Sequence, residues 1–580
     1  MSEPQDARRM AEEHLRGRGF VERTAIWEGI LDNVEDKSLS IRVRLPAEFP
    51  GGLPEVFVVN PSELGGRIAH VEQSGKVCVA PATGILIDVE NPVGVLDQTM
   101  ARAASILADG ISGRSKSALQ TEFVAYWADG AEKLLSICSP EGPARKLALV
   151  SLDANKGYIP WRQTRLVAES VSEANAWVAR LGGVVVGGTE AFFVPLQAGF
   201  DPPGFGQITT VMWVRGILRE CASESIRASL SSWLSKATLP ASVIFSLPLN
   251  DENGRVLAGL RFEPVSSQAQ KRALPGFRQG KAPAAVQLQF APTTACKKLI
   301  LDRVDAAYVL PRGGAGIDMR DRSIAIVGCG AVGSFVAQNF ASMGIGEIRL
   351  VDPEAFEAGN CHRHVLGVRH IGANKAKALV AELDERYPHQ RFFAREERAQ
   401  DVLAHDQSFL LGADLIVFAL GDETLERRLN EIFRLKRTIH VWLDPLGLGG
   451  HVLVANPSEG PGCYECLFKR NSEGALYNAA SFAAPGQVFQ RSLAGCAGLF
   501  TPFSNLDAVQ TACIATRVGA DSLRGTRLRS VLVSWFGERE SYLAKGFSLS
   551  QRAALFTESE QRCEFEFAYQ KCAVCAKVAA

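Results

Sequence analysis

The pattern of apolar and polar positions predicts a compact first region at the N-terminus. A helical pattern over residues 2–18 precedes three strand patterns, and helical patterns return at Val95–Asp109 and Ala118–Trp127. The strand patterns cover Ala25–Leu31, Ser38–Leu45 and Glu55–Asn60. Strands followed by helices in this order predict a small α+β domain.

A second region, between residues 145 and 265, mixes apolar strands with amphipathic helices and predicts another α+β domain. Its predicted strands are Leu147–Leu152, Gly183–Val186, Ile208–Val214 and Ser242–Leu247. Its predicted helices are Ser172–Leu181 and Ser223–Ser235. No motif with a chemical role occurs here. The following stretch, Ser266–Thr293, is rich in Gln, Ala, Pro and Gly and is predicted to be a linker or mobile loop.

Strands alternate with helices in the third region, which is the pattern of a parallel sheet. The predicted strands are Ser323–Val327, Glu347–Val351, Asp414–Ala419 and His440–Leu443. The predicted helices are Ala331–Met343 and Ala373–Tyr387. The chain is therefore expected to have two α+β domains, residues 1–142 and 143–300, followed by an α/β Rossmann-like domain over residues 301–580.

Length and composition narrow the functional classes. A chain of 580 residues is too long for one core, and no apolar run is long enough to span a bilayer. Lys plus Arg (63) balance Asp plus Glu (63), so neither nucleic acid nor a membrane is an expected partner. The N-terminus is charged and has no secretory signal pattern, which predicts a cytoplasmic protein. In that reducing compartment, closely spaced members of the thirteen cysteines are expected to be metal ligands or nucleophiles.

A glycine-rich loop follows the first strand of the third region directly and opens a helix. Gly328, Gly330 and Gly333 let the backbone approach phosphates, and the helix N-terminus supplies N–H donors. Asp352 ends the next strand, where a carboxylate can accept hydrogen bonds from ribose hydroxyls. The sequence therefore predicts a nucleotide site.

A dehydrogenase would show the same loop, so the residues after Asp352 decide between the two chemistries. Asn360, Arg363, Lys375 and Asp422 follow it. Hydride transfer needs no such cluster, whereas attack on an α-phosphate needs cations to neutralise charge and a carboxylate to help hold Mg²⁺. Their joint order favours nucleotidyl transfer from ATP.

These stretches resemble the ThiF/MoeB/ubiquitin-activating adenylyltransferase family across residues 305–580. The matching segments are IAIVGCGAVGS, EIRLVDPEAFEAGNCHRHVLG, GANKA and ADLIVFALGDET. The resemblance implies that Asp352 binds ribose, that Asn360, Arg363 and Lys375 contact the triphosphate, and that Asp422 assists Mg²⁺. It also implies adenylation of a carrier protein's C-terminal carboxylate by a homodimer, with Arg312 the candidate for an arginine that reaches across.

Two Cys-x-x-Cys pairs occur in the third region. Each pair places two thiolates on one tight turn, so Cys463, Cys466, Cys572 and Cys575 together can close a tetrahedral Zn²⁺ shell. More than a hundred residues separate the pairs, further apart than in a zinc ribbon. The family resemblance strengthens the prediction, because many members carry such pairs.

Cys496 lies between these pairs and is flanked by Gly495 and Gly498 before a helical pattern. A thioester-forming cysteine needs exposure on a mobile loop, and the segment resembles the family's cysteine-bearing stretch. Cys496 is therefore the candidate nucleophile. Its competitor, Cys513, lies within the helical run Asp507–Val518, and we expect it to be a buried apolar thiol.

Residues 20–135 resemble ubiquitin-conjugating enzymes more loosely. Cys78 follows Gly75 and is preceded by the proline-rich stretch LPAEFPGGLP, which places it where those enzymes carry a thioester cysteine. Their His-Pro-Asn motif is absent, and His70 occupies the position of the asparagine that stabilises the oxyanion. An imidazole N–H can donate that hydrogen bond, which is worth roughly 2.7–4 kcal/mol at comparable donors. The alternative is that His70 is only a loop residue.

The combination resembles bacterial activating–conjugating fusion enzymes, such as those of CBASS antiphage operons. That resemblance implies a relay from Cys496 to Cys78 and conjugation of a cGAS-like nucleotidyltransferase to acceptor amines. Two other classes remain open. A sulfur-carrier adenylyltransferase would not need Cys78, and a dehydrogenase or nucleotide-binding scaffold would not exchange pyrophosphate with ATP.

Overall fold

The computed structural model contains two compact units, Met1–Asp305 and Ala306–Ala580. It describes residues 4–35, 37–80, 84–153, 164–249, 254–264, 282–313, 317–492, 499–527, 529–558 and 561–577. None of the helices within these ranges is long and apolar enough to cross a membrane.

The first unit begins with helix α1 (Pro4–Gly17) and a five-stranded antiparallel sheet in the order β1-β2-β3-β4-β5. Its strands are β1 (Val21–Arg23), β2 (Ile26–Val34), β3 (Lys37–Arg44), β4 (Glu55–Val58) and β5 (Lys76–Val77). Alternating burial along β3 turns Leu39, Ile41 and Val43 toward a core shared with α1 and helix α2 (Pro92–Ile111). This is the α+β arrangement that the sequence predicts.

The helix predicted over Ala118–Trp127 is two short helices, α3 (Lys116–Thr121) and α4 (Phe123–Ala128), joined at Glu122. The break lets the segment face two cores. Leu119 and Tyr126 pack with Ala69 of the first sheet region, whereas Phe123 and Trp127 belong to the core of the following barrel. A continuous helix would present one apolar stripe only.

The remainder of the first unit is a closed seven-stranded barrel with the neighbour order β10-β11-β12-β6-β8-β7-β9. Its strands are β6 (Glu132–Ser136), β7 (Arg145–Leu152), β8 (Arg165–Ala168), β9 (Val185–Pro195), β10 (Ala241–Pro248), β11 (Arg255–Phe262) and β12 (Cys296–Arg303). The accompanying helices are α5 (Val171–Arg180), α6 (Val211–Cys221), α7 (Glu224–Leu234) and α8 (Ala284–Phe290). Strand β6 lies before the predicted domain boundary at residue 142, and strand β12 crosses the predicted boundary at residue 300. The division into three domains stays a prediction.

Two expectations for this region are wrong. The segment Ile208–Val214 is predicted to be a strand, but helix α6 begins within it at Val211. The Thr210 side chain caps this helix by accepting a hydrogen bond from the Trp213 N–H. Part of the predicted linker is also ordered, since α8 lies within it. Residues 265–281 of that linker lie outside the described ranges.

The second unit is built on an eight-stranded sheet in the order β15-β14-β13-β16-β17-β18-β23-β24. Its strands are β13 (Ser323–Val327), β14 (Glu347–Val351), β15 (Arg391–Arg395), β16 (Leu415–Phe418), β17 (Thr438–Leu443), β18 (Gly449–Ala455), β23 (Val531–Phe536) and β24 (Arg562–Phe565). The first five are parallel to one another. The pairings of β17 with β18, of β18 with β23 and of β23 with β24 are antiparallel. Two small hairpins pair β19 (Phe468–Arg470) with β20 (Leu476–Asn478) and β21 (Arg491–Ser492) with β22 (Leu499–Phe500).

Helices cover both faces of this sheet. They are α9 (Ala306–Val309), α10 (Ala331–Ser342), α11 (Lys375–Arg386), α12 (Ala399–His405), α13 (Gln407–Leu411), α14 (Glu423–Ile432), α15 (Asn505–Arg524) and α16 (Arg539–Leu543). Residues of α10 and α15 share one large core with the inner strands. The predicted α/β Rossmann-like region is confirmed, and β13 and β14 have the predicted bounds.

Candidate active sites and metal centre

The glycine loop connects β13 to α10 in a conformation that requires glycine. Gly328 has φ +93°, and a Cβ there would lie 2.5 Å from the Ala419 carbonyl oxygen. A Cβ on Gly333 would collide with the Gly328 carbonyl oxygen. Gly330 is the N-cap of α10 and has no side chain to cover the helix end. The loop therefore leaves backbone N–H groups at a helix N-terminus open to an anion.

Asp352 lies beside this loop at the carboxyl end of β14. One carboxylate oxygen accepts from the Cys329 N–H at 2.6 Å, and the other accepts from the Glu354 N–H at 2.8 Å. Burial raises the pKa of Asp352, and the two backbone donors oppose that rise. Each oxygen keeps a lone pair, so the carboxylate can still accept hydrogen bonds from ribose hydroxyls.

His364 is a residue of this site that the sequence reasoning missed. Its Nδ1 accepts from the Leu366 N–H at 3.0 Å, so Nε2 carries the proton and donates to the Cys329 carbonyl oxygen at 2.6 Å. Burial lowers the pKa of His364 to about 4. The only sequence signal was its position one residue after Arg363.

Lys375 begins α11 and is buried. Its Nζ lies 2.5 Å from Glu354 Oε2, and its backbone N–H donates to the Glu354 carbonyl oxygen at 2.9 Å. The Glu354 side chain is 69% exposed, so it can move away from the ammonium group. Lys375 is therefore a buried cation whose ion-pair partner, Glu354, can be displaced.

Three other predicted residues lie on loops at this edge of the sheet, where strands β14, β13 and β16 end. Asn360 Oδ1 accepts from the Glu357 N–H in a capping box. The Arg363 guanidinium lies 5.2 Å from the centre of the Phe503 ring. Asp422 is the N-cap of α14 and uses one carboxylate oxygen to accept from the Leu425 N–H.

Arg312, the candidate to act across a dimer, is exposed and stacks over Tyr308 at 4.1 Å. Cys496 lies outside the described residues. The expectation that Cys513 is buried is wrong, because its thiol is exposed. Helix α15 buries most of its surface, but Leu506, Cys513, Arg517 and Arg524 form a narrow exposed stripe along it.

The four predicted zinc ligands converge. Their sulfur atoms all lie within 4.8 Å of one another, with Cys463 Sγ 3.7 Å from Cys572 Sγ and Cys466 Sγ 3.5 Å from Cys575 Sγ. A tetrahedral Zn²⁺ with bonds of about 2.3 Å needs sulfur separations of about 3.8 Å. All four thiols are free, so the donor set and spacing fit Zn²⁺.

Helix α14 connects this cluster to the nucleotide edge of the sheet. Asp422 caps its N-terminus, and Asn430 near its other end donates to Cys463 Sγ at 3.5 Å and accepts from the Tyr464 N–H at 3.1 Å. Arg427 of the same helix forms a bidentate pair with Glu465. The segment holding the first cysteine pair is thus fixed to α14 by polar contacts.

In the first unit, Cys78 is exposed and follows β5 directly. Its Sγ lies 3.8 Å from Glu72 Oε1, and its N–H donates to the His70 carbonyl oxygen at 2.7 Å. Partial burial raises the pKa of the Cys78 thiol, and the nearby carboxylates of Glu72 and Glu122 raise it further, while Lys76 opposes them. His70 is thus adjacent to the cysteine, and its Nδ1 is 2.9 Å from Glu122 Oε1.

Two stretches of the chain match known protein families. Residues 315–520 match the ThiF family, and residues 16–135 match prokaryotic E2 family B. The chain is 25% identical over 505 residues to the ATP-dependent ubiquitin transferase-like protein Cap2 of Pseudomonas aeruginosa, which covers 84% of this chain and 86% of that protein.

Two further similarities cover less of the chain. The adenylyltransferase and sulfurtransferase uba4 of Pyricularia oryzae is 28% identical over 180 residues, covering 29% of this chain and 36% of that protein. A crystal structure of E. coli MccB with succinimide superposes with a TM-score of 0.32 at 17% identity, covering 44% of this chain and 68% of that chain. The chain therefore joins a prokaryotic E2 family B domain and a ThiF-family domain in one polypeptide, as expected for a fusion of a ubiquitin-conjugating-like domain with a ThiF-type domain.

Proposed function

We propose that this chain activates the C-terminal carboxylate of a carrier protein with ATP and conjugates it to an acceptor amine. The observation that carries the proposal is the similarity to Cap2 across 84% of the chain. The two family matches contain the glycine loop, within residues 315–520, and Cys78, within residues 16–135. A chain that only adenylates would have no use for an exposed thiol in a conjugating-type domain.

Adenylation uses the nucleotide edge of the second unit. The glycine loop binds phosphates through backbone N–H groups, and Asp352 binds the ribose. Asn360, Arg363 and Lys375 contact the triphosphate and neutralise charge as the carboxylate attacks the α-phosphate and pyrophosphate leaves. Mg²⁺, held with the help of the second oxygen of Asp422, would supply further positive charge at the phosphates.

Two thiols then carry the acyl group. The Cys496 thiolate attacks the acyl-adenylate, a C–S bond forms and AMP leaves. Cys78 takes the acyl group by transthioesterification, which returns the Cys496 thiol. An amine of the acceptor finally forms the amide and releases Cys78. Dividing amide synthesis into acyl transfers lowers each barrier, and joining both thiols in one chain raises their effective concentration.

The carrier in this proposal is a cGAS-like nucleotidyltransferase in a CBASS antiphage system, and the acceptors are cellular proteins. The enzyme acts in the cytoplasm, where a reducing environment keeps both relay thiols free. It works as a homodimer through the adenylation domain, with Arg312 reaching the partner's nucleotide site. This arginine is exposed, which suits a residue that acts across an interface.

Zn²⁺ is the metal proposed for Cys463, Cys466, Cys572 and Cys575. It would supply no chemistry to the acyl transfers and would act as a structural cross-link of the C-terminal segment to the segment after β18. The Asn430 side chain would support the site by donating to Cys463 Sγ.

Exchange of labelled pyrophosphate into ATP tests the adenylation step. We expect exchange that depends on the carrier's C-terminus and falls by about 100-fold or more in Lys375→Ala, the scale of losing one preorganised charge. Lys377→Ala is the matched control, because Lys377 lies on the same helix, is largely exposed and pairs with Glu396. Equal exchange in both variants would contradict the assignment.

A sulfur-carrier adenylyltransferase is the second candidate, favoured by the similarity to uba4. In that case Cys496 suffices and Cys78 has no role. A thiocarboxylated carrier made equally well by Cys78→Ala would support this alternative, whereas loss of a carrier–acceptor conjugate in the same variant supports the relay.

A further inference from the structure

His70 lies opposite Cys78 in the strand pairing. Val71 and Val77 form an antiparallel bridge, so the next pair outward is His70 and Cys78. The Cys78 N–H donates to the His70 carbonyl oxygen at 2.7 Å, as expected for that register. The return bond is not made, because His70 has φ +63° and its N–H turns away from the ladder. It donates instead to Tyr126 Oη at 2.6 Å.

The imidazole of His70 is held by the same group of residues. Its Nδ1 lies 2.9 Å from Glu122 Oε1, and Tyr126 Oη donates to the other carboxylate oxygen, Oε2. An ionised carboxylate that accepts the hydrogen bond of the tyrosine has no proton to donate, so Nδ1 must carry the proton of the imidazole. In the neutral ring, Nε2 is then a lone-pair acceptor.

The carboxylate itself is rigidly placed. Glu122 is the residue at which α3 and α4 join, and Tyr126 lies one turn further along α4 with its ring packed against Leu119 and Ala69. The Arg67 guanidinium stacks on the Tyr126 ring at 4.8 Å. These contacts fix the tyrosine hydroxyl, which fixes both the His70 backbone and the Glu122 side chain.

We propose that Glu122 holds His70 in the Nδ1–H tautomer, so that Nε2 acts as the base for the acceptor amine that attacks the thioester on Cys78. This inference rests on the proposed function and assigns a mechanism to its last step. Glu122 is a positioning residue, and His70 is the catalytic residue.

The step balances without any other reactant. As the amine nitrogen forms its bond to the thioester carbonyl carbon, Nε2 takes the amine proton. The C–S bond breaks and its electron pair goes to Cys78 Sγ. The imidazolium then returns the proton to the thiolate, giving an amide and a thiol. The raised pKa of Cys78 suits this return, because its sulfur holds a proton at neutral pH.

This role differs from the oxyanion donor that the sequence position suggests. An asparagine amide at this position is a donor, and its nitrogen is not a base. A histidine whose Nδ1–H is committed to a carboxylate offers Nε2 as an acceptor instead. The two roles predict opposite effects of Glu122→Gln on the discharge of Cys78. An amide N–H at residue 122 would favour the Nε2–H tautomer of His70, which removes the base at Nε2 but supplies an oxyanion donor there.

The test charges Cys78 directly, without the adenylation step. The full-length chain is incubated with a short peptide α-thioester, and mass spectrometry after digestion locates the acyl group, with Cys78→Ala as the blank. The transfer of the acyl group from Cys78 is then followed with two nucleophiles. N-acetyl-lysine amide must lose a proton as it attacks, whereas hydroxylamine is a stronger nucleophile and depends less on a general base. The variants are His70→Asn, Glu122→Gln and the control Glu90→Gln, an exposed carboxylate of the same unit.

We expect the lysine rate to fall by about 100-fold in His70→Asn and Glu122→Gln, the lower scale of general base catalysis, with hydroxylamine discharge changed less than about threefold. Asparagine tolerates the left-handed backbone of residue 70, so His70→Asn should fold. If the ratio of the lysine discharge rate to the hydroxylamine discharge rate is the same in both variants as in the wild type, the base role of His70 is wrong, but the relay is not affected. Failure of wild-type Cys78 to take up or discharge the peptide overturns the relay, and the base role with it.

Discussion

The Nε2 atom of His364 donates to the carbonyl oxygen of Cys329 at 2.6 Å, inside the glycine loop that is expected to bind ATP. Because Nδ1 accepts from the Leu366 N–H, the imidazole is neutral and both ring nitrogens are used. The ring therefore ties the loop to the segment that carries Arg363. A protonated ring would lose the bond from Leu366, so this arrangement depends on pH.

The first prediction concerns that dependence. The pKa of His364 is lowered from 6.5 to about 4, so its contribution to stability is complete above pH 6.5 and is lost as the pH falls toward 4. Between pH 7 and pH 5, we expect a loss of about 2 kcal/mol of unfolding free energy from this residue.

Urea unfolding of the wild type and of His364→Gln at both pH values measures this loss. Glutamine can still donate to the Cys329 carbonyl oxygen and does not titrate, so the variant should lose about 2 kcal/mol less on acidification. Equal losses in the two proteins would show that His364 does not titrate as described.

The second prediction concerns ATP affinity. The Lys375 ammonium is paired with Glu354 and must leave that carboxylate to contact a phosphate. Glu354→Gln should therefore lower the Kd for ATP by about two- to fivefold, the worth of an ion pair whose carboxylate is largely exposed. Isothermal titration measures it, with Glu385→Gln on the exposed side of α11 as the control. Weaker binding in Glu354→Gln would mean that Glu354 supports the nucleotide rather than competing with it.

The third prediction concerns the reactivity of Cys78. The Glu72 carboxylate raises the pKa of this thiol, so less thiolate is present at neutral pH. Glu72→Gln should speed alkylation of Cys78 by iodoacetamide at pH 7 by about two- to fivefold, because the thiolate is the nucleophile. Peptide mapping follows the rate, and the exposed Cys513 serves as an internal reference. A slower reaction at Cys78 would contradict the described electrostatics.

The fourth prediction concerns the metal centre. We expect one Zn²⁺ per chain in the purified protein, and its loss in Cys572→Ala together with a Tm lowered by about 5–10 °C. Elemental analysis and thermal unfolding measure these quantities. Cys563→Ala is the matched control, because this partly buried thiol lies outside the cluster. A Tm that falls equally in both variants would argue against a structural metal.

Much of the second unit follows from local sequence. The strand Ser323–Val327, the glycines after it and Asp352 are contiguous signals with a fixed geometric meaning, and the structure places them together. The cysteine pairs are also brought together, although 105 residues separate Cys466 from Cys572 in the printed sequence. Pairs of ligands carry enough specificity to be matched across such a distance.

Long-range placement explains what the sequence did not predict. His364 looked like one more polar residue beside Arg363, and only folding brings its ring against the Cys329 carbonyl oxygen. Glu122 carried no signal, since its role depends on the helix break that turns it toward His70. The barrel strands pair across distant segments, as β6 does with β12, and short apolar runs do not specify such partners.

The relay of the acyl group through Cys78 and Cys496 is tested most directly by replacing each thiol with an amine, which traps the acyl group as an amide. Cys78→Lys and Cys496→Lys are incubated with ATP, Mg²⁺ and a cGAS-like nucleotidyltransferase, with Cys513→Lys as the exposed control. The account predicts adducts that resist reducing agents, need ATP, occur at residues 78 and 496, and at residue 78 also require an intact Cys496. Absence of an ATP-dependent acyl adduct at both residues would contradict it.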